Sequence, residues 1–304
     1  MTTGQEALPT VTVIVPVYED LERLRTCLGH LVAQDYPAEL FDVVVVDNAS
    51  STDLRPALPP HDARFTMVRE DKRGSYAARN AGLLRVTGDV IAFTDADCRP
   101  RPDWLRRAVA HLCSPEAPEA VGGDIHLVFR DGDDPTTGPE LYESVHGFDQ
   151  RHFVEVFHFA ATANLVTTSK VLDLVGPFDS DLQSGGDDDW GHRLRAAGGR
   201  LVFAEDAVVD HPSRPTWSEL TTKSVRVAKG MAALTRGQSF RADLREVLGE
   251  VRAGTTVWLS IWSKGWPSTP GRKARYAAAM SWVALIRCGV RAGQRVARRG
   301  GAAT

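Results

Sequence analysis

The sequence predicts an α/β protein in which a mostly parallel sheet is flanked by helices and followed by a C-terminal helical appendage. Three observations carry this. Short β-branched runs alternate with helical patterns over the first hundred residues, polar or acidic residues follow directly on three of those runs, and the composition turns basic and Trp-bearing beyond residue 250. A chain of 304 residues is long enough for one large α/β domain with an appendage. With 43% hydrophobic and 25% charged residues it is neither collagen-like, nor wholly disordered, nor a polytopic membrane protein.

Residues 11–15 read as the first strand. Asp20 stands where it can cap a helix whose apolar stripe is Leu21, Leu24, Leu28 and Leu31. Strands follow at 43–46, 65–68 and 90–93, with a helix starting near Ser75 between the last two and carrying Ala77, Ala78, Ala81 and Leu84. Pro102 at a first-turn position opens a helix with Trp104, Leu105, Val109 and Leu112 that ends before Pro115. Residues 121–128 form a further strand and 130–139 a turn-rich loop. The segment 141–159 is rich in His and Phe but has no clean period, and it is assigned no element. Helices at 169–175 and 188–197, the second stopped by Gly198 and Gly199, and strands near 201–203 and 208–209 complete the body.

Charge is unevenly distributed. The whole chain has 36 Lys and Arg against 39 Asp and Glu, a net charge of −3. Ten of those basic residues lie between Val251 and Thr304, where there is no acid, so a body near −13 is joined to a tail near +10. The four cysteines, Cys27, Cys98, Cys113 and Cys288, form no Cys-x-x-Cys pair, which fits neither a disulfide scaffold nor a zinc knuckle. Residues 1–10 carry Glu6 and no apolar run, so no signal peptide is expected, and a reducing cytoplasm is.

Three strands run out into polar residues: Val17-Tyr18-Glu19-Asp20, Val46-Asp47-Asn48 and Thr94-Asp95-Ala96-Asp97. In an open parallel sheet the carboxyl ends of the strands face one crevice, where ligands bind. Any single Asp after a strand reads equally well as a turn or cap. Several acids in one cleft are another matter, because unpaired buried carboxylates cost several kcal/mol each, and a cation or ligand donors must offset them. Asp95 and Asp97, at i and i+2, can address one hard divalent ion. Mg2+ or Mn2+ so held completes its shell with water and phosphate oxygens, which implies a diphosphate substrate. No P-loop and no Gly-x-Gly-x-x-Gly is present, so diphosphate recognition rests on metal. A second cluster, Ser184-Gly-Gly-Asp187-Asp188-Asp189-Trp190, places acids at a helix start. One of them suits a general base, and at least one of the three is expected only to cap.

These motifs, in this order, resemble family 2 of the glycosyltransferases and its GT-A fold, a Rossmann-like, mostly parallel sheet with flanking helices. The resemblance covers about residues 10–230. It rests on Val13-Ile-Val-Pro-Val-Tyr18-Glu19, Val45-Val-Asp47-Asn48-Ala-Ser-Ser-Thr-Asp53, Ala78-Arg79-Asn80-Ala-Gly82, Asp95-Ala-Asp97, Thr162-Ala-Asn164 with Gly176-Pro-Phe178-Asp179, and Gly185-Gly-Asp187-Asp-Asp-Trp190. It implies a catalytic domain over 1–215, with a nucleotide-binding half at about 10–100 and an acceptor half at about 101–215, before a basic helical region at 216–304. The implied activity is transfer of a single sugar, with inversion, from a nucleotide-diphosphate sugar, a UDP-sugar by preference. The acceptor is a glycan, lipid-linked or small-molecule hydroxyl in cell-surface glycan, glycolipid or secondary-metabolite glycosylation. By the same resemblance Pro16, Tyr18, Glu19 and Asp47 bind base and ribose. Arg79 and Asn80 lie near the donor, Asp95 and Asp97 hold ribose and metal, and Asp187 is the catalytic base. His211 after 208–209 is a further candidate for Mn2+ or Mg2+ or for the diphosphate, against a structural His. Thr162 and Asn164 are candidates for the cleft floor, and Trp190 and Tyr142 for stacking on sugar, against simple burial. Family members often carry Glu-Asp where this chain has Gly186-Asp187, which leaves Asp188 as a rival base; the spacing to Arg193 favours Asp187. The Gln-x-x-Arg-Trp signature of processive synthases is absent. The alternative from another class is a catalytically inactive sugar-nucleotide-binding or scaffold protein with the same fold.

The tail repeats Trp258, Trp262 and Trp266 at four-residue spacing, with Tyr276, Trp282, Val283 and Ile286 beyond. Its longest charge-free stretches, 253–263 and 276–286, are 11 residues each, against the roughly 20 needed to span a bilayer. A basic helix pair with tryptophans suits the anionic inner face of a membrane, in peripheral contact near a lipid-linked acceptor. Packing on the catalytic domain, or a homodimer through these helices, is the equal alternative. Nucleic acid is not expected, since the body is acidic and carries no nucleic-acid fold signature.

Overall fold

A computed structural model of the chain describes residues 8–234 and 240–301. In chain order the elements are β1 (Val11–Val17), α1 (Leu21–Val32), β2 (Phe41–Asp47), β3 (Phe65–Arg69), α2 (Ser75–Leu83), β4 (Val90–Phe93), β5 (Arg99–Pro100), α3 (Trp104–Leu112), β6 (Ala120–Val128), α4 (Gly138–His146) and α5 (Gln150–His152). There follow a π-helical turn (Phe153–Phe157), β7 (Leu165–Thr168), α6 (Ser169–Val175), α7 (Gly186–Ala196), β8 (Leu201–Pro212), α8 (Trp217–Leu234), α9 (Phe240–Ser260) and α10 (Pro270–Gly301).

The strands form one sheet in the order β3-β2-β1-β4-β7-β6-β8-β5. The four strands β3, β2, β1 and β4 are parallel, whereas β7 runs antiparallel to β4 and β6, and β5 antiparallel to β8, so the α/β sheet is mixed. Both faces of its parallel part are covered. Val13, Val15, Val43 and Val45 cluster with Leu24, Leu28 and Leu31 of α1 and Leu105 and Val109 of α3. On the other face α2 lies so close that a Cβ on Gly82 would come within 2.6 Å of Ile14. Strands buried on both faces cannot alternate in polarity, which is why β1 and β2 read as continuous valine-rich runs.

Asp20 caps α1 as its position predicts, accepting from the Arg23 N–H at 3.1 Å. Asp103 is the N-cap residue of α3, so Pro102 lies just before the cap and not inside the first turn. The strands expected at 201–203 and 208–209 are one strand, β8. The charges that interrupt its apolar pattern are satisfied at the surface, Glu205 by Arg151 at 2.9 Å and Asp206 by His111 at 2.7 Å. The unassigned segment 141–159 contains most of α4, α5 and the π turn.

The chain divides into two compact units: the first runs to His126 and takes in Phe148–Asp181 and Gly186–His211, and the second comprises Leu127–Gly147, Leu182–Gly185 and the chain from Pro212. Within the second unit α4 packs on the C-terminal helices, Leu141 with Val257, Ile261, Tyr276 and Ala277, and Tyr142 with Leu220, Ala279 and Val283. Two buried carboxylates hold it together. Glu140 accepts from the N–H groups of Arg130, Thr136 and Thr137 and from the Ser213 hydroxyl, fixing the 130–137 loop. Glu143 accepts from Arg214 and Lys223. No helix among the described residues is long and apolar enough to cross a membrane.

Candidate active site

The parallel register brings the predicted polar residues to one edge of the sheet. Val17 of β1 lies beside Asp47 of β2, and Ile14 beside Phe93, the last residue of β4. Pro16 sits where β1 has outrun β4. The Ile14 carbonyl faces β4 and accepts from Thr94, so the position two residues on also faces that side, and its missing N–H interrupts no ladder. Tyr18 then leaves the strand exposed, with the Arg73 guanidinium 4.2 Å from its ring centroid. Glu19 adopts φ +56° and accepts from the Ser51 N–H at 2.6 Å, a bond that holds its carboxyl below the usual carboxylate range. Asp47 is fixed from both sides, by the Ser50 N–H at 2.9 Å and by Arg69 Nη1 at 2.8 Å. It borders a cleft of about 410 Å3 with Ser50, Thr52, Asp53 and Arg69.

Asn48 builds the entrance to α2. Its amide donates to the carbonyls of Glu70 and Lys72 and its oxygen accepts from the Gly74 N–H, so the loop before α2 is strapped to the end of β2. Within α2, Tyr76 and Arg79 lie one turn apart and reach two different acids. The Arg79 guanidinium is buried and hydrogen-bonded to Asp95 Oδ1. The Tyr76 hydroxyl donates to Asp187 Oδ1 at 3.0 Å. Arg79 also stands 5.7 Å from the Tyr76 ring centroid, so Asp95, Arg79, Tyr76 and Asp187 form a continuous string. Asp187 is in the first turn of α7, where a helix N-terminus favours negative charge. Of its neighbours, Asp189 is taken by Arg193 at 2.9 Å, and burial raises the Asp188 carboxyl. The departure from Glu-Asp at 186 has a steric reason, since a Cβ on Gly186 would lie 2.7–2.8 Å from the Tyr76 ring.

Asp97 lies across from His211. The antiparallel pairing of Arg99 with Asp210 puts the residues just before β5 beside the end of β8, and His211 Nε2 is 3.8 Å from Asp97 Oδ1. His211 is buried against the Phe148 ring at 4.8 Å. One ligand atom each from Asp97, Cys98 and His211 lie within 4.8 Å of one another. A carboxylate and an imidazole at this separation suit a divalent cation, so the donor set fits. The thiol is a poor partner for a hard ion, and burial pushes Cys98 well above its ordinary range, with Asp97 and Asp95 adding to the effect. Two buried polar atoms among the described residues at this edge have no hydrogen-bond partner, Arg79 Nε and Thr94 Oγ1.

Other candidates are occupied elsewhere. Asn80 donates to the Phe178 carbonyl at 2.8 Å and accepts from its N–H at 3.0 Å, a two-bond clamp on the Gly176-Pro177-Phe178 turn. Asn164 is buried, with its oxygen on Trp104 Nε1 and its amide on the carbonyls of Asp124 and Ala207. Thr162 is buried beside it, Trp190 is buried with its indole N–H on the Gly176 carbonyl, and Tyr142 stacks on His146. A larger cleft of about 560 Å3, lined by Asn80, Leu84, Leu172 and Pro177, includes none of Asp47, Asp95, Asp97 and Asp187. Tyr76 is the residue that sequence reasoning missed. Its signal was indirect, a glycine at 186 in place of an expected acid.

A sequence profile described as "Glycosyl transferase family 2" matches residues 12–160. The glycosyltransferase AglE of Haloferax volcanii is 37% identical over 227 residues, 73% of this chain and 73% of that protein. The pre-mycofactocin glycosyltransferase of Mycobacterium tuberculosis is 30% identical over 210 residues, 67% of this chain but only 43% of that one. Among solved structures, the mannosyltransferase PcManGT from Pyrobaculum calidifontis, in complex with GDP-Man and Mn2+, matches over 97% of this chain and 76% of its own, with TM-score 0.54 and 21% identity.

Proposed function

The chain belongs to glycosyl transferase family 2 and is a glycosyltransferase of GT-A fold, and from that premise we propose single-sugar transfer from a nucleotide-diphosphate sugar to an acceptor hydroxyl, with inversion and divalent metal assistance. The observation that carries this reading is the string Asp95, Arg79, Tyr76, Asp187, which ties the acid at the end of β4 to the acid at the start of α7. Asp97 and His211 are the residues that would hold Mn2+ or Mg2+. Such an ion, when bound, stabilises negative charge developing on the leaving diphosphate.

The chain's own groups supply the rest. Asp47, held by Ser50 and Arg69, faces the 410 Å3 cleft and takes the donor base or ribose there, with Pro16, Tyr18 and Glu19 forming the strand end beside it. Asp95 accepts from the ribose. Arg79 is a positioning group, since its guanidinium is held by Asp95, and Asn80 acts through its clamp on Phe178. Asp187 accepts the proton of the attacking hydroxyl, which must come within about 2.6–3.2 Å. A UDP-sugar is the preferred donor, with GDP-mannose its first competitor because PcManGT was solved with GDP-Man. Asp187→Asn keeps the shape and removes the base. It should collapse turnover to a small residual rate while thermal stabilisation by donor and Mn2+ survives; donor binding lost to the same degree would sink the assignment. Unimpaired turnover would favour a different base, and no turnover by the wild type with any donor would favour a silent scaffold.

Within the second unit, α9 presents Leu248, Val251, Trp258 and Leu259 to solvent along one side, Leu259 being 82% exposed, and the turn after it (Ile261–Ser263) exposes Trp262. With no acid from Val251 onward, this stripe supports peripheral attachment to an anionic membrane near a lipid-linked acceptor. Flotation with vesicles containing about one-third phosphatidylglycerol should exceed flotation with neutral vesicles. Equal recovery from both removes the membrane reading, and a dimer in solution would assign the stripe to a second copy.

A further inference from the structure

We infer that Tyr76 is the positioning residue of the proposed base: its hydroxyl holds Asp187 by Oδ1 and leaves Oδ2 turned to the acceptor. The inference rests on the reading of Asp187 as base. Both contacts of the Asp187 carboxylate fall on Oδ1, from the Tyr76 hydroxyl at 3.0 Å and from the Asp188 N–H at 3.2 Å, and among the described residues Oδ2 receives none. A carboxylate held by one oxygen keeps the second available in a fixed direction, which proton abstraction from a bound hydroxyl requires.

The donor of that bond cannot wander. The Tyr76 ring is stacked on Phe178 at 5.8 Å and 28°, and Phe178 is itself pinned by both bonds from Asn80. Arg79 stands over the ring, and the backbone at Gly186 closes on it so tightly that a side chain there has no room. A ring needed only for packing would be served equally well by Phe. Here the hydroxyl is buried, and burial raises its pKa, so it remains a proton donor to the acid across the full working range of pH. Near Asp187 stand Arg79 of α2, held by Asp95, and on its own helix Asp188 facing His192 and Asp189 paired with Arg193. Among the described residues the bonds to its carboxylate come from the Tyr76 hydroxyl and the Asp188 N–H, and from none of these charged side chains.

The test is a cycle of Tyr76→Phe, Asp187→Asn and the double variant, assayed by nucleoside diphosphate release from UDP-glucose and from GDP-mannose with Mn2+. Losing a hydrogen bond to a charged group should lower kcat roughly ten- to hundredfold in Tyr76→Phe, with donor KM within about twofold. In the Asp187→Asn background the same change should cost nothing further, because Tyr76 acts only through that carboxylate. An unchanged kcat in Tyr76→Phe, or an equal fractional loss in both backgrounds, overturns the inference and leaves Asp187 as base. Full activity in Asp187→Asn overturns the base reading, and this inference with it. A substrate-free arm measures unfolding midpoints for Tyr76→Phe, Asp187→Ala and their combination. Non-additive shifts support the bond, and strict additivity removes it whether or not either donor is turned over.

Discussion

Glu143 in the helical unit and Asp97 at the sheet edge are both acids in folded surroundings, and their environments differ sharply. Glu143 is 1% exposed, and its two oxygens receive the Arg214 N–H at 2.7 Å, Arg214 Nη1 at 2.8 Å and Lys223 Nζ at 2.8 Å. The Asp97 side chain is 25% exposed and faces His211 Nε2 across 3.8 Å, beyond hydrogen-bond range. A carboxylate saturated by the protein has nothing left to offer a ligand and serves architecture. One that is a quarter exposed, faces an imidazole across 3.8 Å and stands two residues from another acid has the character that the proposed metal role requires. Acid count alone does not separate the two cases, and the donors around each oxygen do.

The comparison breaks most visibly at Asp97. Asp97→Asn should lower turnover by roughly 10²- to 10³-fold, the size of effect seen when one group that stabilises developing charge is removed. Its melting temperature should equal or exceed that of the wild type, because Asp95 loses a like-charged neighbour two residues away. Mn2+ should raise the melting temperature of the wild type and not of the variant, since only a protein that binds the ion gains from mass action. A variant that lost stability and kept its response to Mn2+ would place Asp97 with Glu143 as an architectural acid.

How much of this was legible in the chain follows the same division. Asp20, β4 and the Asp95-Ala-Asp97 sequence were readable because strands and caps leave local patterns. The sheet edge that gathers Tyr18, Asp47 and Asp95 followed from the direction of parallel strands. Asn80, Asn164 and Trp190 are engaged by Phe178, Trp104 and Gly176, and those contacts were not legible in the sequence because a buried polar side chain and a cleft residue look alike until their partners are known. Tyr76 was invisible for a related reason. It was one aromatic residue in an alanine-rich helix, and its meaning came from a residue 111 positions away. The segment 141–159 defeated periodicity in part because Glu143 is buried on α4, so the core-facing side of that helix carries a charge.

The smaller effect lies in the helical unit. Glu143→Ala would leave Arg214 and Lys223 without their shared partner, and should destabilise the protein by about 3 kcal/mol in denaturant unfolding while donor KM and kcat stay within about twofold. The gentler change, Glu143→Gln, sharpens the point through pH. Burial alone would raise this carboxyl, but the charges of Lys223 and Arg214 more than offset it, so its pKa lies below the ordinary value. A carboxyl depressed in the folded state contributes stability that is fully present above its unfolded pKa, about 4.3, and is lost as pH falls through the folded one. The wild type should therefore weaken as pH drops below about 5, with Glu143 contributing at most about 1.4 kcal/mol per pH unit, the limit for one proton. Glu140 is held below its ordinary value in the same way, burial being outweighed by the N–H groups of Arg130, Thr137 and Thr136, so Glu143→Gln should flatten the acid slope without abolishing it. An acid slope equal to that of the wild type would mean that Glu143 takes up no extra proton on unfolding, and the contrast between a saturated acid and an open one would then have no energetic content.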